Sequence, residues 1–511
     1  MKMMSIITLL LIPLISRADL STAFLVVRLD IEDIVREIDA ESYPERSLES
    51  LETALLKLKE HKNKVFAPVF NYEQEQLPLS GLDLTRMHSY LKIHLTILER
   101  GLALADAQSR YDDITVDENA MALMTISLLE HRDVYLNNER VRRLLDKKDE
   151  AYDVKRKALR KAYERFTNKK IEKSLRRAIE KELVRKDLAT QIKTLRGEYK
   201  IVRKSFKGDF WDRIKTFVVH HISGFIGNRA GSVKFRKGMM WQDQELNNKI
   251  ESMLLPMDII TEKTPFILTD KLIPGHFGHN SFWLGTEAEL KKMGIWDQEY
   301  FKPYQAAVKQ GYNIIETDRS GTHLKKLSEW MNIDEIAVIR RNDRPTEFKA
   351  INEFYAVLMA QHGKTYDFNF DVETTDKLVC SELLYQAFGD VRWPTEAYLG
   401  RFTISPDNVA EVIVQKNTPF ELIYSHERGE DKIDHLKGLE QLASDLGYVS
   451  HGHDESGVIF EKETRKCIDL VKENGKVVKS CVKAWLRPVF GGEKIIRWDY
   501  QDGANSLSAN L

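Results

Sequence analysis

Asp376-Lys377-Leu378-Val379-Cys380-Ser381-Glu382-Leu383-Leu384-Tyr385-Gln386-Ala387-Phe388 reads as a loop that delivers a cysteine to the start of an amphipathic helix. Leu383, Leu384 and Phe388 form the apolar face of that helix. A thiol at a helix N-terminus meets unpaired backbone N–H groups and the positive end of the macrodipole. Both favour thiolate over thiol and yield a nucleophile near neutral pH. The same N–H groups can stabilise an oxyanion. A lone cysteine is more often a small buried hydrophobe, so the chemical reading requires a base elsewhere in the chain.

Two upstream stretches supply candidates: Pro256-Met257-Asp258-Ile259-Ile260, and Leu272-Ile273-Pro274-Gly275-His276-Phe277-Gly278-His279-Asn280-Ser281-Phe282-Trp283-Leu284-Gly285. With the Cys380-Ser381-Glu382-Leu383 segment they resemble the permuted papain-like amidases of the YiiX and YaeF type, within the NlpC-like superfamily. In that family a proline-glycine-aspartate-aliphatic strand is followed by a histidine that opens a strand of the form His-x-x-aromatic-x-aliphatic-Gly. The nucleophile follows within Cys-Ser-Glu-Leu. Ile314-Ile315-Glu316-Thr317, Gly321, Ile336-Ala337-Val338-Ile339-Arg340 and Tyr366-Asp367-Phe368 are similar to the intervening parts, in the same order. The resemblance covers roughly residues 250–400.

Carried over residue by residue, the resemblance implies Cys380 as nucleophile, His279 as the base that takes its proton, and Glu316 as the group orienting the imidazole. It implies no metal and no organic cofactor. His276, three residues before His279, is an alternative base, although its Pro-Gly flank reads as a turn. His323 is an alternative to Glu316, and Tyr366 and Asp367 read equally well as structural. The chain departs from the family at Met257, where glycine is usual, and in an insertion of some twenty residues at 286–310 that is placed to cover or shape a cleft.

Outward from this core the texture changes. Residues 31–206 are rich in Leu, Ala, Lys, Arg and Glu, and apolar residues recur at helical spacing, as in Leu51, Leu55 and Leu58, or Leu91, Leu95, Ile97, Leu98, Leu102 and Leu104. A bundle is expected, and the more basic stretch 140–207 reads as long, solvated helices or a helical hairpin. From residue 257 onward short strands are expected at 257–261, 280–284, 312–317 and 335–340, with helices within 287–309, 351–362 and 381–388. The expected fold is therefore α+β, an N-terminal α-helical bundle followed by a circularly permuted papain-like domain with an antiparallel sheet. The expected divisions are a signal peptide at 1–18, a helical domain at 19–245, the hydrolase domain at 246–450 and a small β-rich element at 451–511. At 511 residues the chain exceeds what one core usually serves. In the last element Glu473-Asn474-Gly475-Lys476 offers a hairpin turn, and Cys467 and Cys481 flank it as candidate disulfide partners.

The signal-peptide reading rests on Lys2, the apolar run 6–15 and Ser16-Arg17-Ala18 before Asp19. That run is far short of the ~20 residues that cross a bilayer, so a periplasmic or secreted protein is expected. A formal net charge of -1 gives no global reason for a nucleic-acid partner. The adjacent His220 and His221, in the glycine-rich stretch 217–231, point to different sides of an element and lack a third ligand at a familiar spacing. The expected substrate is a peptide or peptidoglycan-like amide, and the helical region is a candidate contact for a membrane surface or envelope partner. Two rival readings are a lipid acyltransferase or phospholipase with the same Cys-His chemistry, and a non-catalytic envelope scaffold.

Overall fold

In a computed structural model of the chain the described residues are 44–75, 77–108, 114–205, 236–264, 275–398, 401–471 and 477–498. The signal-peptide reading at 1–18 and the stretch with His220 and His221 fall outside them. No helix among the described residues is long and apolar enough to cross a membrane.

Helices Pro44–Glu75, Gly81–Gln108 and Ile114–Glu130 form the bundle. The periodic leucines behave as expected: Leu51, Leu55 and Leu58 are buried, as are Leu91, Ile97, Leu98 and Leu104. Helix Ile114–Glu130 is apolar nearly all round and is buried nearly all round, which marks it as the bundle's centre. The basic stretch corrects the expectation of long helices. It folds as five short ones, Glu139–Leu145, Ala158–Phe166, Lys169–Glu180, Lys186–Thr194 and Glu198–Ser205. Asn138 and Asn168 restart the chain, their side chains accepting the N–H groups of Val141 and of Lys170 and Ile171. Lys157 and Glu182 take positive φ at 61° and 59° where it reverses. The breaks let Leu159, Tyr163, Phe166, Leu175 and Leu188 all turn into the core, which a straight solvated hairpin would not allow.

The following region builds a seven-stranded sheet. Its strands are β1 (Ile259–Lys263), β2 (His279–Trp283), β3 (Ile314–Asp318), β4 (Gly321–Lys325) and β5 (Glu335–Arg341). After the short parallel pair β6 (Thr365–Tyr366) and β7 (Lys377–Leu378), and the hairpin β8 (Glu396–Tyr398) and β9 (Arg401–Thr403), come β10 (Phe420–Arg428) and β11 (Asp434–Leu436). The order across the sheet is β11-β10-β5-β1-β2-β3-β4, and every neighbouring pair is antiparallel. Side chains alternate between two cores, as a pleated strand buried on both faces requires. Ile259, Phe282, Ile315, Ala337 and Ile339 join the large core. Ile260, Trp283, Ile314, Ile336 and Val338 join a smaller one with Leu246 and Ile250 of helix Gln244–Met253.

The insertion folds as two short helices, Glu287–Lys292 and Gln305–Lys309, with Trp296 and Phe301 buried between them. Its contacts run to helix Phe348–Ala360: the Tyr300 hydroxyl donates to Asn352 at 2.8 Å, and the Phe301 and Tyr355 rings meet at 6.4 Å. It thickens the core on that side. At the C-terminus β12 (Val449–Asp454), β13 (Gly457–Val471), β14 (Val477–Pro488) and β15 (Lys494–Trp498) form a second antiparallel sheet. Its register sets Cys467 opposite Cys481; their side chains fall outside the described residues.

The bundle and the large sheet share one continuous core. Their junction lies on the helix Cys380–Ala387, and this corrects the amphipathic reading, because all eight residues of that helix are buried. The bundle covers the face that the sequence pattern left for solvent. Tyr385 donates to the Leu79 carbonyl at 2.6 Å, and Leu82 N–H to the Gly389 carbonyl at 3.0 Å. Approach is so close that a Cβ on Gly81 would lie 2.1 Å from the Tyr385 carbonyl oxygen.

Candidate active site

Cys380 is the first residue of its helix, with Val379 extended before it. Glu382 reaches back to accept the Val379 N–H at 2.8 Å, so one donor of the helix start is satisfied internally. The thiol is only 7% exposed. Asn280, on β2, donates its side-chain amide to the Ser381 hydroxyl at 3.2 Å and ties the helix start to the sheet.

His279 opens β2 and stands close enough to Cys380 that each shifts the other's charge. Its Nε2 lies 2.8 Å from Glu316 Oε2, which leaves Nδ1 for the sulfur. Glu316 stands on β3, where the register pairs it with Ser281 on one side and His323 on the other. Its other oxygen accepts Lys325 at 2.7 Å and lies 3.3 Å from His323 Nε2. The alternatives for the orienting group thus resolve into one cluster: Glu316 contacts His279, while His323 and Lys325 contact Glu316.

Burial is the largest influence on all three central groups, and in each it opposes charge. It works to raise Glu316, but hydrogen bonds from His279 and His323 and the Lys325 charge hold the carboxyl well below its usual range. It works to lower His279, but the Cys380 thiolate and the Glu316 carboxylate lift the imidazole well above its ordinary value. It works to raise Cys380, but the His279 hydrogen bond and charge, with the Asn280 backbone and Ser381, bring the thiol below its ordinary value. The arrangement favours a thiolate–imidazolium pair backed by a carboxylate, the protonation state a cysteine nucleophile needs.

Residues 256–432 match the model of the permuted papain-like amidase enzymes, the YaeF/YiiX, C92 family. The matched segment contains Cys380, His279 and Glu316 together with the whole sheet up to β10. No curated protein and no solved structure matches the chain.

Within this matched segment the alternative base, His276, is committed elsewhere. Its Nε2 sits 2.9 Å from both oxygens of the buried Glu335, and its Nδ1 lies 3.3 Å from Lys263 Nζ. Before β2 Gly275 takes φ 136°, and Asp407 accepts the N–H groups of His276 and Phe277, each at 2.8 Å. Asp407 therefore sets where β2 begins and where His279 stands. Glu382, two residues after the nucleophile, is turned back to its own helix start, and burial, then the Asp367 charge, push its carboxyl well above the usual range.

Two clusters bring three ligand-type groups together among the described residues, His276–Glu335–Asp445 and Glu316–Asp318–His323. In each a lysine ammonium already occupies the central carboxylate, Lys437 on Glu335 at 2.8 Å and Lys325 on Glu316 at 2.7 Å.

Sequence reading missed Lys325, Asn280, Asp407 and the bundle's grip on the loop before Cys380. In that loop Glu373 accepts the Leu79 N–H at 2.8 Å and Arg140 Nε at 2.7 Å, while the Thr375 hydroxyl lies 3.2 Å from His88 Nε2. Lys325 could have been found from the register, two residues beyond His323 on the hairpin. The bundle contacts span more than 200 residues and leave no local signal.

Proposed function

We propose that the protein is a thiol amidohydrolase acting through an acyl-enzyme, with Cys380 as nucleophile, His279 as proton carrier and Glu316 as the group that positions His279. The observation that carries the reading is His279, bonded through Nε2 to the buried Glu316 at 2.8 Å and electrostatically paired with Cys380, whose sulfur stands at a helix N-terminus. The thiolate attacks an amide carbonyl. The backbone N–H groups of the first helical turn face the developing oxyanion. The His279 imidazolium gives its proton to the leaving amine, and the neutral imidazole then takes one from the water that releases the acyl group.

An N-terminal signal peptide places the enzyme outside the cytoplasm, where peptide amides of the cell wall, including γ-linked ones, are the substrate class at hand. The lipid-acyl alternative rests on the wider superfamily resemblance and on residues 217–226, which lie outside the described residues. The test has two parts. Purified protein digests cell-wall peptides with release of new amines, and Cys380→Ala abolishes that release; N-terminal sequencing of exported protein finds the chain beginning near Asp19. Hydrolysis that persists in Cys380→Ala overturns the thiol mechanism, and retention of residues 1–18 overturns the export reading.

A further inference from the structure

The chain is nearly neutral as a whole, but its charge is unevenly spread. Residues 155–205 carry 19 Lys and Arg against 6 Asp and Glu, a net +13, while the rest carries 58 against 72, a net -14. Elsewhere in the bundle, basic side chains meet acids of neighbouring elements: Lys59 with Glu130 at 2.7 Å, Lys62 with Asp133 at 3.0 Å and Lys92 with Asp153 at 2.5 Å.

Helix Lys169–Glu180 is built differently. Its Leu175 and Ala178 are buried, with Ile171 and Ile179 packed beside them. At 3.6 residues per turn, that apolar side leaves Lys169, Lys170, Lys173, Arg176 and Arg177 within an arc of about 120° on the other, and all five are exposed. The acid on that arc is Glu180, 3.8 Å from Arg176, both side chains more than half exposed. Lys169, Lys170, Lys173 and Arg177 are in no ion pair among the described residues. Lys169 with Lys173, and Lys173 with Arg177, are like charges at i,i+4 spacing, which weaken a helix. Solubility needs no such one-signed face; a layer of anions relieves its repulsion.

The chemistry of the face narrows the partner. The helix has no aromatic residue to stack on a base, and its apolar residues are turned into the core, so none is available for insertion. What it presents is a row of cations about 18 Å long. That row complements a plane of phosphates, which attracts clustered Lys and Arg without a pocket, better than it does a single strand held by stacking.

We propose that this face seats the protein on an anionic phospholipid surface, its Lys and Arg side chains on headgroup phosphates and the helix lying outside the acyl layer. The proposal does not depend on the thiol reading.

Flotation of the full chain with vesicles of phosphatidylcholine alone, or with about a third phosphatidylglycerol, tests it. At about 50 mM salt the protein should bind the mixed vesicles at least about tenfold better than the neutral ones, and about 500 mM salt should release it. Each cation near such a surface is worth roughly fivefold in binding, so combining Lys169→Gln, Lys173→Gln and Arg177→Gln should weaken it by about ten- to a hundredfold. Lys292→Gln, Lys349→Gln and Lys494→Gln together remove the same charge from exposed positions elsewhere and should change binding by less than about twofold. Equal binding to both vesicles, binding that resists salt, or equal losses in the two triple variants would overturn the proposal. So would single-stranded DNA or heparin that strips the protein from the vesicles at equal charge, which would assign the face to a polyanion. The composition and salt arms use the wild-type chain and need no variant to fold.

Discussion

The bundle and the amidase segment bury titratable side chains equally deeply and reach opposite results. In the bundle, the His94 and His131 rings meet at 4.6 Å, with the Tyr90 hydroxyl 2.7 Å from His131 Nε2 and the Tyr135 hydroxyl 3.2 Å from His94 Nδ1. Burial dominates there: His94 is pushed well below its ordinary value, His131 down to about 4, and Tyr90 and Tyr135 well above theirs. Every group is held neutral. In the amidase segment, burial is again the largest influence on His279, Glu316 and Cys380, yet it loses. The difference is the partner. Hydroxyls and carbonyls satisfy a neutral imidazole, whereas a thiolate on one nitrogen and a carboxylate on the other make the cation the favoured form. Depth of burial alone is therefore no guide to charge.

The largest expected effect comes from removing the cation. His279→Ala should return Cys380 to the behaviour of an ordinary thiol, with a pKa near or above 8.5. Its alkylation by iodoacetamide at pH 6 then drops by roughly two to three orders of magnitude. A smaller drop, with Cys380 still reactive, would mean that the helix N-terminus alone activates the sulfur.

Next comes the neutral histidine of the bundle. Because its folded value of about 4 lies below the unfolded 6.5, His131 contributes stability that is complete above pH 6.5 and is lost as pH falls towards 4. The loss should reach about 3 kcal/mol in urea titrations across that window. In His131→Phe the part of the acid slope due to this residue should vanish, and an unchanged slope would break the contrast between the two regions.

Glu316→Gln removes the charge behind His279 and keeps the shape. His279 should fall and Cys380 rise, so the acid step of the alkylation profile moves to higher pH, and the rate near pH 5 drops roughly ten- to a hundredfold, the worth of a charge-assisted hydrogen bond. The smallest effect tests the joint between the regions. Arg140→Met leaves Glu373 without its guanidinium and should cost about 1–2 kcal/mol, read as a lower urea midpoint.

What the sequence made legible follows the same division. The α+β class, the antiparallel sheet and the placement of Cys380, His279 and Glu316 in one segment could be read because each rests on local patterns: the short apolar run Ile336 to Ile339, the Cys-Ser-Glu-Leu stretch, the histidine opening a strand. The short helices of 139–205 could not be read, because Lys and Arg fill exposed positions in long and short helices alike, and the caps at Asn138 and Asn168 are single residues. Nor could the enclosure of the nucleophile helix. Its polar positions, Glu382 and Gln386, look solvent-facing by pattern, yet both are buried, Gln386 where the bundle returns from 300 residues upstream to meet the helix at Gly81.

The most direct test of the central claim, that a buried cysteine is charged because its partners outweigh burial, is the pH profile of Cys380 alkylation by iodoacetamide in the intact protein. The account predicts substantial reactivity well below pH 8.5, the range of a free thiol, and a second limb at higher pH where His279 loses its proton. A single rise centred at or above pH 8.5, with no alkaline limb, would show Cys380 to be a neutral buried thiol and would contradict it.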